Sequence, residues 1–173
     1  MSDDHRGNHD LRKHAFGGGG DGDRESIGRA VIESLIPHAG AMCLLERVVS
    51  WDNNRIVLLT ATHRATDNPL RYAGRLRALH LCEYGAQAMA IHGGLLARAS
   101  GSKAEPGVLV SLREVRLHCA FIEALDGELE VAAQRLLAGP GSWQYSFTVH
   151  HHATLLAEGR AAVITVRPPQ PQK

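Results

Sequence analysis

Two residues with acid–base side chains stand three positions apart in the middle of the chain. His80 and Glu83 belong to the segment LHLCEYGAQ, which runs from Leu79 to Gln87, and residues three or four apart share one face of a helix. Desolvation on an apolar helix disfavours a carboxylate, so Glu83 can hold a proton and serve as a general acid. His80 is then the candidate general base, and Gln87 can orient the Glu83 carboxyl group.

Each of these residues also has a purely structural explanation. Glu83 could pair with an arginine at a subunit seam, His80 could cap the first helical turn, and Gln87 could satisfy a buried backbone group. His92 comes nine residues after Glu83, too far along a helix to act with it, so we expect His92 to pack.

The helix that would carry these residues is the longest predicted element. From about Leu76 to Leu96 the sequence has no proline, little glycine before Gly93, and many Ala, Leu and Met residues, which favours a helix. Apolar residues populate most of its circumference, so other elements must wrap around it.

A short helix and six strand-like runs provide the wrapping elements. The helix holds Ile27 to Leu35, with Ser26 as its cap and Pro37 as its stop. Two runs precede the long helix as a hairpin, and four follow it and should pair as an antiparallel meander. The runs are Met42–Trp51, Arg55–His63, Gly107–Cys119, Glu128–Leu137, Trp143–His150 and Ala153–Val166. This order predicts an α+β fold with a curved antiparallel sheet wrapped around one long central helix.

Two stretches of the sequence resemble β-hydroxyacyl carrier-protein dehydratases, which have the hotdog fold. Ile36-Pro37-His38 followed by MCLLERV, from Met42 to Val48, is similar to their L-P-H turn and L-L-x-D-R-V strand. The segment from Leu79 to Ala90 resembles the helix on which these enzymes carry a catalytic acid four residues before a glutamine. Glu83 and Gln87 match those two positions.

More narrowly, residues 36–166 resemble the divergent dehydratase-like proteins encoded with aryl polyene synthases, with the shared segment running from Leu79 to Gly93. The resemblance implies dehydration of a 3-hydroxyacyl thioester, with Glu83 as the acid and with Gln87, Tyr84 and Asn68 binding the substrate or supporting the site. No cofactor is implied.

One position departs from the dehydratase pattern. The catalytic histidine of their H-F-P-G loop would fall fourteen residues before the acid, where this chain has Pro69, preceded by Asn68. Four hypotheses follow. Either another histidine substitutes and the chain is a complete dehydratase, or the chain supplies half of a dehydratase site to a paralogous partner. Alternatively, it is a hotdog thioesterase that needs no loop histidine, or a non-catalytic acyl-binding subunit of a heteromeric dehydratase.

The expected partners are an acyl carrier protein or acyl-CoA thioester and a second hotdog subunit. Arg71, Arg75 and Arg77 precede the helix and are a candidate docking patch for a carrier protein, although three such residues can equally form a solvated basic face. A hotdog protomer leaves a sheet edge uncovered, so we expect a homodimer or a heteromer with a paralogous subunit, joined edge to edge.

The run His150-His151-His152 suggests a metal site at first sight. Consecutive residues on a strand point to alternating faces, so only His150 and His152 could share one ion, and two ligands are too few. We therefore expect an exposed hairpin end and no metal.

Composition limits the remaining possibilities. The chain has 19 Lys+Arg against 18 Asp+Glu, a formal net charge of +1, which argues against nucleic acid or an anionic membrane as partner. Three cysteines without a C-x-x-C pair favour reduced thiols in a cytoplasm, and no apolar run suggests membrane insertion. We expect a disordered tail at residues 1–24, a hotdog domain at 25–167 and a disordered tail at 168–173.

Overall fold

The computed structural model describes residues 27–105 and 107–165. Helix α1 (Arg29–Leu35) leads into the strands β1 (Arg47–Trp51) and β2 (Arg55–Thr60), and the long helix α2 (Leu81–Ala99) follows. Four strands complete the chain: β3 (Gly107–Leu117), β4 (Leu129–Gly139), β5 (Ser142–His151) and β6 (Thr154–Thr165). The two predicted tails and the proposed cap Ser26 lie outside the described residues. Among the helices described, none is long and apolar enough to cross a lipid bilayer.

All six strands form one antiparallel sheet in the order β1-β2-β4-β5-β6-β3. The predicted α+β class is confirmed, but the predicted four-strand meander is wrong for β3. Only β4, β5 and β6 follow one another in the sheet, whereas β3 crosses to the far edge and pairs with β6. This crossover lets β4 extend the β1–β2 hairpin directly.

Helix α2 packs against β2, β4, β5 and β6, and α1 covers its other side. Most of α2 is buried, as its apolar circumference predicted; the buried residues are Leu81, Cys82, Tyr84, Gly85, Gln87, Ala88, Met89, Ile91, His92, Gly94 and Leu95. The first predicted turn of this helix is a separate 3₁₀ turn at Ala78–His80. As a result, Leu79 is exposed.

The closest approach of α2 to the sheet occurs at Gly85. A Cβ atom added to Gly85 would lie 2.6 Å from both Cδ2 and Cγ of Phe147 on β5. From β6, a Cβ at Gly159 would lie 2.8 Å from Cε1 of the same ring. Phe147 therefore fills the space between helix and sheet, and glycine on both sides permits this close packing.

Residues at the ends of the predicted strands form turns that shape the site. Gly40–Met42 and Thr62–Arg64 are 3₁₀ turns, so β1 starts later and β2 ends earlier than predicted. The three cysteines are free. Burial raises the pKa of the Cys43 and Cys82 thiols, which agrees with a packing role for both.

Candidate active site

Glu83 lies in the first turn of α2, and its carboxyl group is held by Gln87 one turn later. Gln87 is fully buried, and its Nε2 donates hydrogen bonds to Glu83 Oε1 and to Met42 O, each 2.9 Å long. The Leu44 N–H donates to Gln87 Oε1, also at 2.9 Å. Because both faces of the amide have partners, its orientation is fixed and an N–H group always points at Glu83.

His38 is the histidine that faces Glu83. Its Nε2 lies 3.4 Å from Glu83 Oε1, and both side chains are about one-third exposed. The His38 Nδ1 atom is buried and has no hydrogen-bond partner among the described residues. Glu83 and His38 thus lie side by side, and both can be reached from outside.

Helical spacing predicted His80, and not His38, as the partner of Glu83. His80 is the N-terminal flanking residue of α2 and makes no side-chain capping bond; within the described residues its imidazole has no hydrogen bond or ion pair. The Glu83 carboxyl group extends toward Gln87 and His38 instead. The resemblance of Ile36-Pro37-His38 to the L-P-H turn of the dehydratases was the one sequence feature that pointed to His38. Because His38 and Glu83 are 45 positions apart in the sequence, helical spacing could not predict their contact.

Tyr84 and Asn68 meet in a second, buried network. The Tyr84 hydroxyl accepts from Asn68 Nδ2 at 3.1 Å and contacts Thr62 Oγ1 at 3.2 Å. Thr62 Oγ1 donates its hydrogen to Leu44 O at 2.7 Å, so its oxygen can accept a hydrogen bond from the Tyr84 hydroxyl. Burial raises the pKa of Tyr84, an effect that the bonds from Thr62 and Asn68 oppose. Tyr84 therefore stays a neutral donor.

Asn68 is fully used by this network. Its Nδ2 also donates to Thr62 O at 2.9 Å, and its Oδ1 accepts from Leu70 N at 2.9 Å. Asn68 directly precedes Pro69, the residue aligned with the loop histidine of the dehydratases, and its buried amide holds this loop. An amide has no basic nitrogen, so Asn68 cannot act as the base.

The backbone of one residue, Leu44, joins the two networks. Leu44 gives its N–H to Gln87 and its carbonyl to Thr60 and Thr62. An open cavity of about 470 Å³ lies beside the Tyr84 network and is lined in part by Thr62 and Asn68. Glu83 does not line this cavity.

The arginine cluster is largely occupied by contacts within the chain. Arg71 donates to the carbonyls of His63, Arg64 and Gly74. Arg75 forms an ion pair with Glu123 and stacks 3.6 Å above the Phe121 ring. Arg77 lies 5.9 Å from the same ring centroid, and among the described residues its guanidinium makes no ion pair.

Glu123 anchors this cluster to the start of the helix. Its carboxylate accepts from Leu76 N at 3.0 Å as well as from Arg75. Desolvation would raise the pKa of Glu123, but these hydrogen bonds and the Arg75 charge outweigh it and lower the pKa to about 2.

Two further histidines are buried and structural. His92 bonds through Nδ1 to the Tyr145 hydroxyl at 3.0 Å and through Nε2 to Asp52 O at 2.7 Å. His63 Nε2 bonds to Leu125 O at 3.1 Å. Burial lowers the pKa of both imidazoles, so both are neutral at pH 7. The packing role expected for His92 agrees with these contacts.

The histidine run lies at the predicted hairpin end, where His150 and His151 are the last residues of β5 and His152 begins the turn to β6. The expectation that only His150 and His152 could share an ion is wrong, because the chain turns at this point. His152 has φ +50°, which breaks the strand alternation and brings its ring to 4.2 Å from that of His151. Asp126 lies against both rings.

Comparison with known proteins places this site in a family. A family model described as ApeP-like, ApeP dehydratase, matches residues 30–173, which include His38, Glu83 and Gln87. The chain belongs to the ApeP-like dehydratase family. This agrees with the aryl polyene resemblance of the sequence. A search of curated protein sequences returned no match.

Solved structures share the fold of this ApeP-like chain. The dehydratase heterocomplex ApeI:P from Xenorhabdus doucetiae has a TM-score of 0.71 at 22% identity, covering 79% of this chain and 91% of that one. A putative thioesterase from Shewanella oneidensis has a TM-score of 0.56 at 12% identity, covering 80% and 94%. Zebra fish thioesterase superfamily member 2 has a TM-score of 0.55 at 16% identity, covering 79% and 94%. The predicted hotdog fold is confirmed.

Proposed function

We propose that this chain is a subunit of a dehydratase that removes water from a 3-hydroxyacyl thioester, carried by an acyl carrier protein, with Glu83 as the general acid. Family membership supports the reaction class. The single observation that supports the residue is the fixed amide of Gln87, which holds the Glu83 carboxyl group at the start of α2 with His38 3.4 Å away. A group held in one orientation by buried neighbours can meet a substrate without reorganising.

The reaction needs a base and an acid on two adjacent carbons. The base takes a proton from Cα. The electron pair of the broken Cα–H bond then forms the Cα=Cβ double bond as the Cβ–O bond breaks. Glu83 gives its proton to the departing hydroxyl, which leaves as water. Backbone N–H groups at the start of α2 would stabilise the enolate charge on the thioester oxygen.

His38 Nε2 lies 3.4 Å from Glu83 Oε1. The two side chains are therefore too close together to act on two different carbons of the substrate. We assign His38 to proton exchange with Glu83 and not to the removal of the Cα proton. The base then has to come from elsewhere, because Asn68 and Pro69 hold the place of the usual loop histidine. A paralogous hotdog subunit is the natural source, since the ApeI:P structure is a heterocomplex.

The edge strand β3 is the surface we assign to that partner. It ends the sheet, and its exposed apolar residues are Val108, Leu109, Val110, Leu112 and Leu117. A long edge strand with apolar side chains pairs readily with another strand. Val110→Lys should therefore prevent copurification with the paralogous subunit. Val49→Lys is the matched control, because Val49 is equally exposed on β1 at the other edge.

The test of the reaction uses mass spectrometry of a 3-hydroxyacyl carrier protein. The chain is incubated with this substrate, alone and with its paralogous subunit, and loss of water and release of free acid are both scored. Glu83→Gln should slow water loss at least about 100-fold, and His38→Gln should also slow it. His80→Gln is the matched control and should retain activity.

Each outcome separates the hypotheses. Full activity of Glu83→Gln would contradict the assignment of the acid, and loss of activity in His80→Gln would restore His80 as the base. Free acid in place of the enoyl product would identify a thioesterase. Binding of the acyl carrier protein without either product would leave a non-catalytic acyl-binding subunit.

A further inference from the structure

A second cluster of ionisable side chains lies at the end of the β5–β6 hairpin. Asp126, His151 and His152 each place one possible metal-ligand atom within 4.8 Å of the other two. His151 Nε2 lies 3.3 Å from Asp126 Oδ1, and His152 Nε2 lies 4.0 Å from the same oxygen. We propose that these three side chains form a surface site for a divalent transition-metal ion of the kind that imidazole prefers, such as Zn²⁺.

The distances are close to those that zinc requires. Tetrahedral ligands at bond lengths of about 2.0–2.1 Å lie about 3.3 Å from one another. The pair His151–Asp126 already has this separation. The pair His152–Asp126 is 0.7 Å wider, taking the 4.0 Å contact against 3.3 Å, and His152 is 71% exposed, so a small side-chain rotation closes the gap.

The backbone is arranged to bring the ligands together. Positive φ is costly for a residue with a Cβ atom, yet His152 adopts φ +50° and thereby turns its ring onto that of His151. The Asp126 side chain comes from the turn that precedes β4, where a Cβ atom added to Gly127 would lie 3.9 Å from Cε1 of His152. The site thus links two separate turns of the chain.

The surrounding charges favour a cation. Glu128 and Glu130 line a cavity of about 250 Å³ together with His152. Arg47 pairs with Glu128, so the Asp126 carboxylate beside the two imidazoles and the Glu130 carboxylate in the His152 cavity supply the negative charge. Zinc binds imidazole nitrogen and carboxylate oxygen, and solvent can supply the fourth position. His151 Nε2, which donates to Asp126 O at 2.6 Å, would exchange its proton for the metal.

We expect a bound metal ion to hold the Asp126 turn and the β5–β6 hairpin together. The Asp126 turn is attached to the 3₁₀ turn at Thr62–Arg64, because His63 bonds to the Leu125 carbonyl. Thr62 in that turn supports Tyr84. A metal bound to the folded chain alone stabilises it by mass action, so zinc should raise the melting temperature.

The experiment is equilibrium dialysis against buffered free Zn²⁺, followed by metal analysis of the full chain without a histidine tag. His5, His9 and His14 are replaced by Asn throughout, so that they cannot bind the metal themselves. The parent should bind one zinc per chain, and Asp126→Asn, His151→Asn and His152→Asn should each bind at least about tenfold more weakly. His118→Asn is the matched control, an exposed histidine beside Glu158.

Zinc-induced melting shifts give a second measurement. Asp126 and His152 are exposed, so their variants should fold as the parent does while losing the shift. The proposal is overturned if the parent takes up no zinc, or if zinc binds and stabilises His152→Asn as strongly as the parent.

Discussion

Substitution of Gly85 by alanine tests whether the contact between α2 and Phe147 sets the helix position. In an exposed helix this change stabilises by about 1 kcal/mol. Here the new Cβ would lie 2.6 Å from two ring atoms of Phe147. The other end of the ring lies close to β6, since a Cβ atom added to Gly159 would lie 2.8 Å from Cε1, so the ring has little room to move away. Overpacking of a filled core costs about 1–3 kcal/mol, and this contact is close enough to lie at the upper end of that range. After subtraction of the gain of about 1 kcal/mol in helix propensity, Gly85→Ala should destabilise the chain by about 1–2 kcal/mol.

Gly93→Ala is the matched control for this prediction. Gly93 lies in the same helix, and a Cβ there would meet no atom within 4 Å. This variant should gain up to about 1 kcal/mol. In thermal unfolding the two variants should therefore move in opposite directions, by about 2–4 °C per kcal/mol for a domain of this size.

A double-mutant cycle identifies the contact responsible. Phe147→Leu removes ring atoms, so Gly85→Ala should cost about 1 kcal/mol less in that background than alone. The reasoning is refuted if Gly85→Ala is as stable as Gly93→Ala, or if its cost is unchanged when Phe147 is replaced.

Four further predictions concern other parts of the chain. The pKa of Glu123 is lowered to about 2 from an ordinary 4.5. Its contribution to stability is therefore present above pH 4.5 and is lost as the pH falls toward 2. In urea titrations, Glu123→Gln should be about 1–2 kcal/mol less stable than the parent at pH 7, and the difference should be smaller at pH 3. Burial lowers the pKa of His63 and His92, so stability should fall as the pH drops below about 6.5, where only the unfolded chain binds the protons, and His92→Gln should reduce this slope between pH 7 and 5. Tyr84→Phe should cost about 1–2 kcal/mol in urea unfolding, because Asn68 loses a buried partner; an unchanged midpoint would contradict the network. Arg77→Glu should raise KM for an acyl carrier protein and leave kcat unchanged, whereas Arg98→Glu, at the other end of α2, should change neither.

Local sequence patterns were sufficient for most of the elements. The apolar circumference of residues 76–96 predicted a wrapped helix, and six strand-like runs became six strands. The place of β3 could not be predicted, because strand propensity does not reveal which neighbour a strand pairs with. In the structure, the exposure of successive apolar residues in β3 reflects its position at the edge of the sheet. The sequence alone could not indicate this, because the same apolar composition would fit a buried strand.

The site was predictable only where its residues share one helix. Glu83 and Gln87 are four apart, so helical spacing placed their side chains together. His38 reaches Glu83 from a turn that precedes the sheet, and no periodic pattern connects two such positions. Similarly, alternation along a strand predicted separate faces for His151 and His152, and it failed because β5 ends at His151 and His152 already belongs to the turn.

The apolar edge formed by β3 also bears on how the chain must be produced. Exposed backbone donors and acceptors flanked by Val108, Val110 and Leu112 offer a template for intermolecular strand addition whenever the intended neighbour is absent. We therefore expect overexpression of this subunit alone to yield inclusion bodies or irregular oligomers, and simultaneous synthesis with its partner to suppress them. Under the proposed pairing with a paralogous subunit, unequal amounts of the two proteins would leave this edge uncovered, so the proposal requires their balanced production.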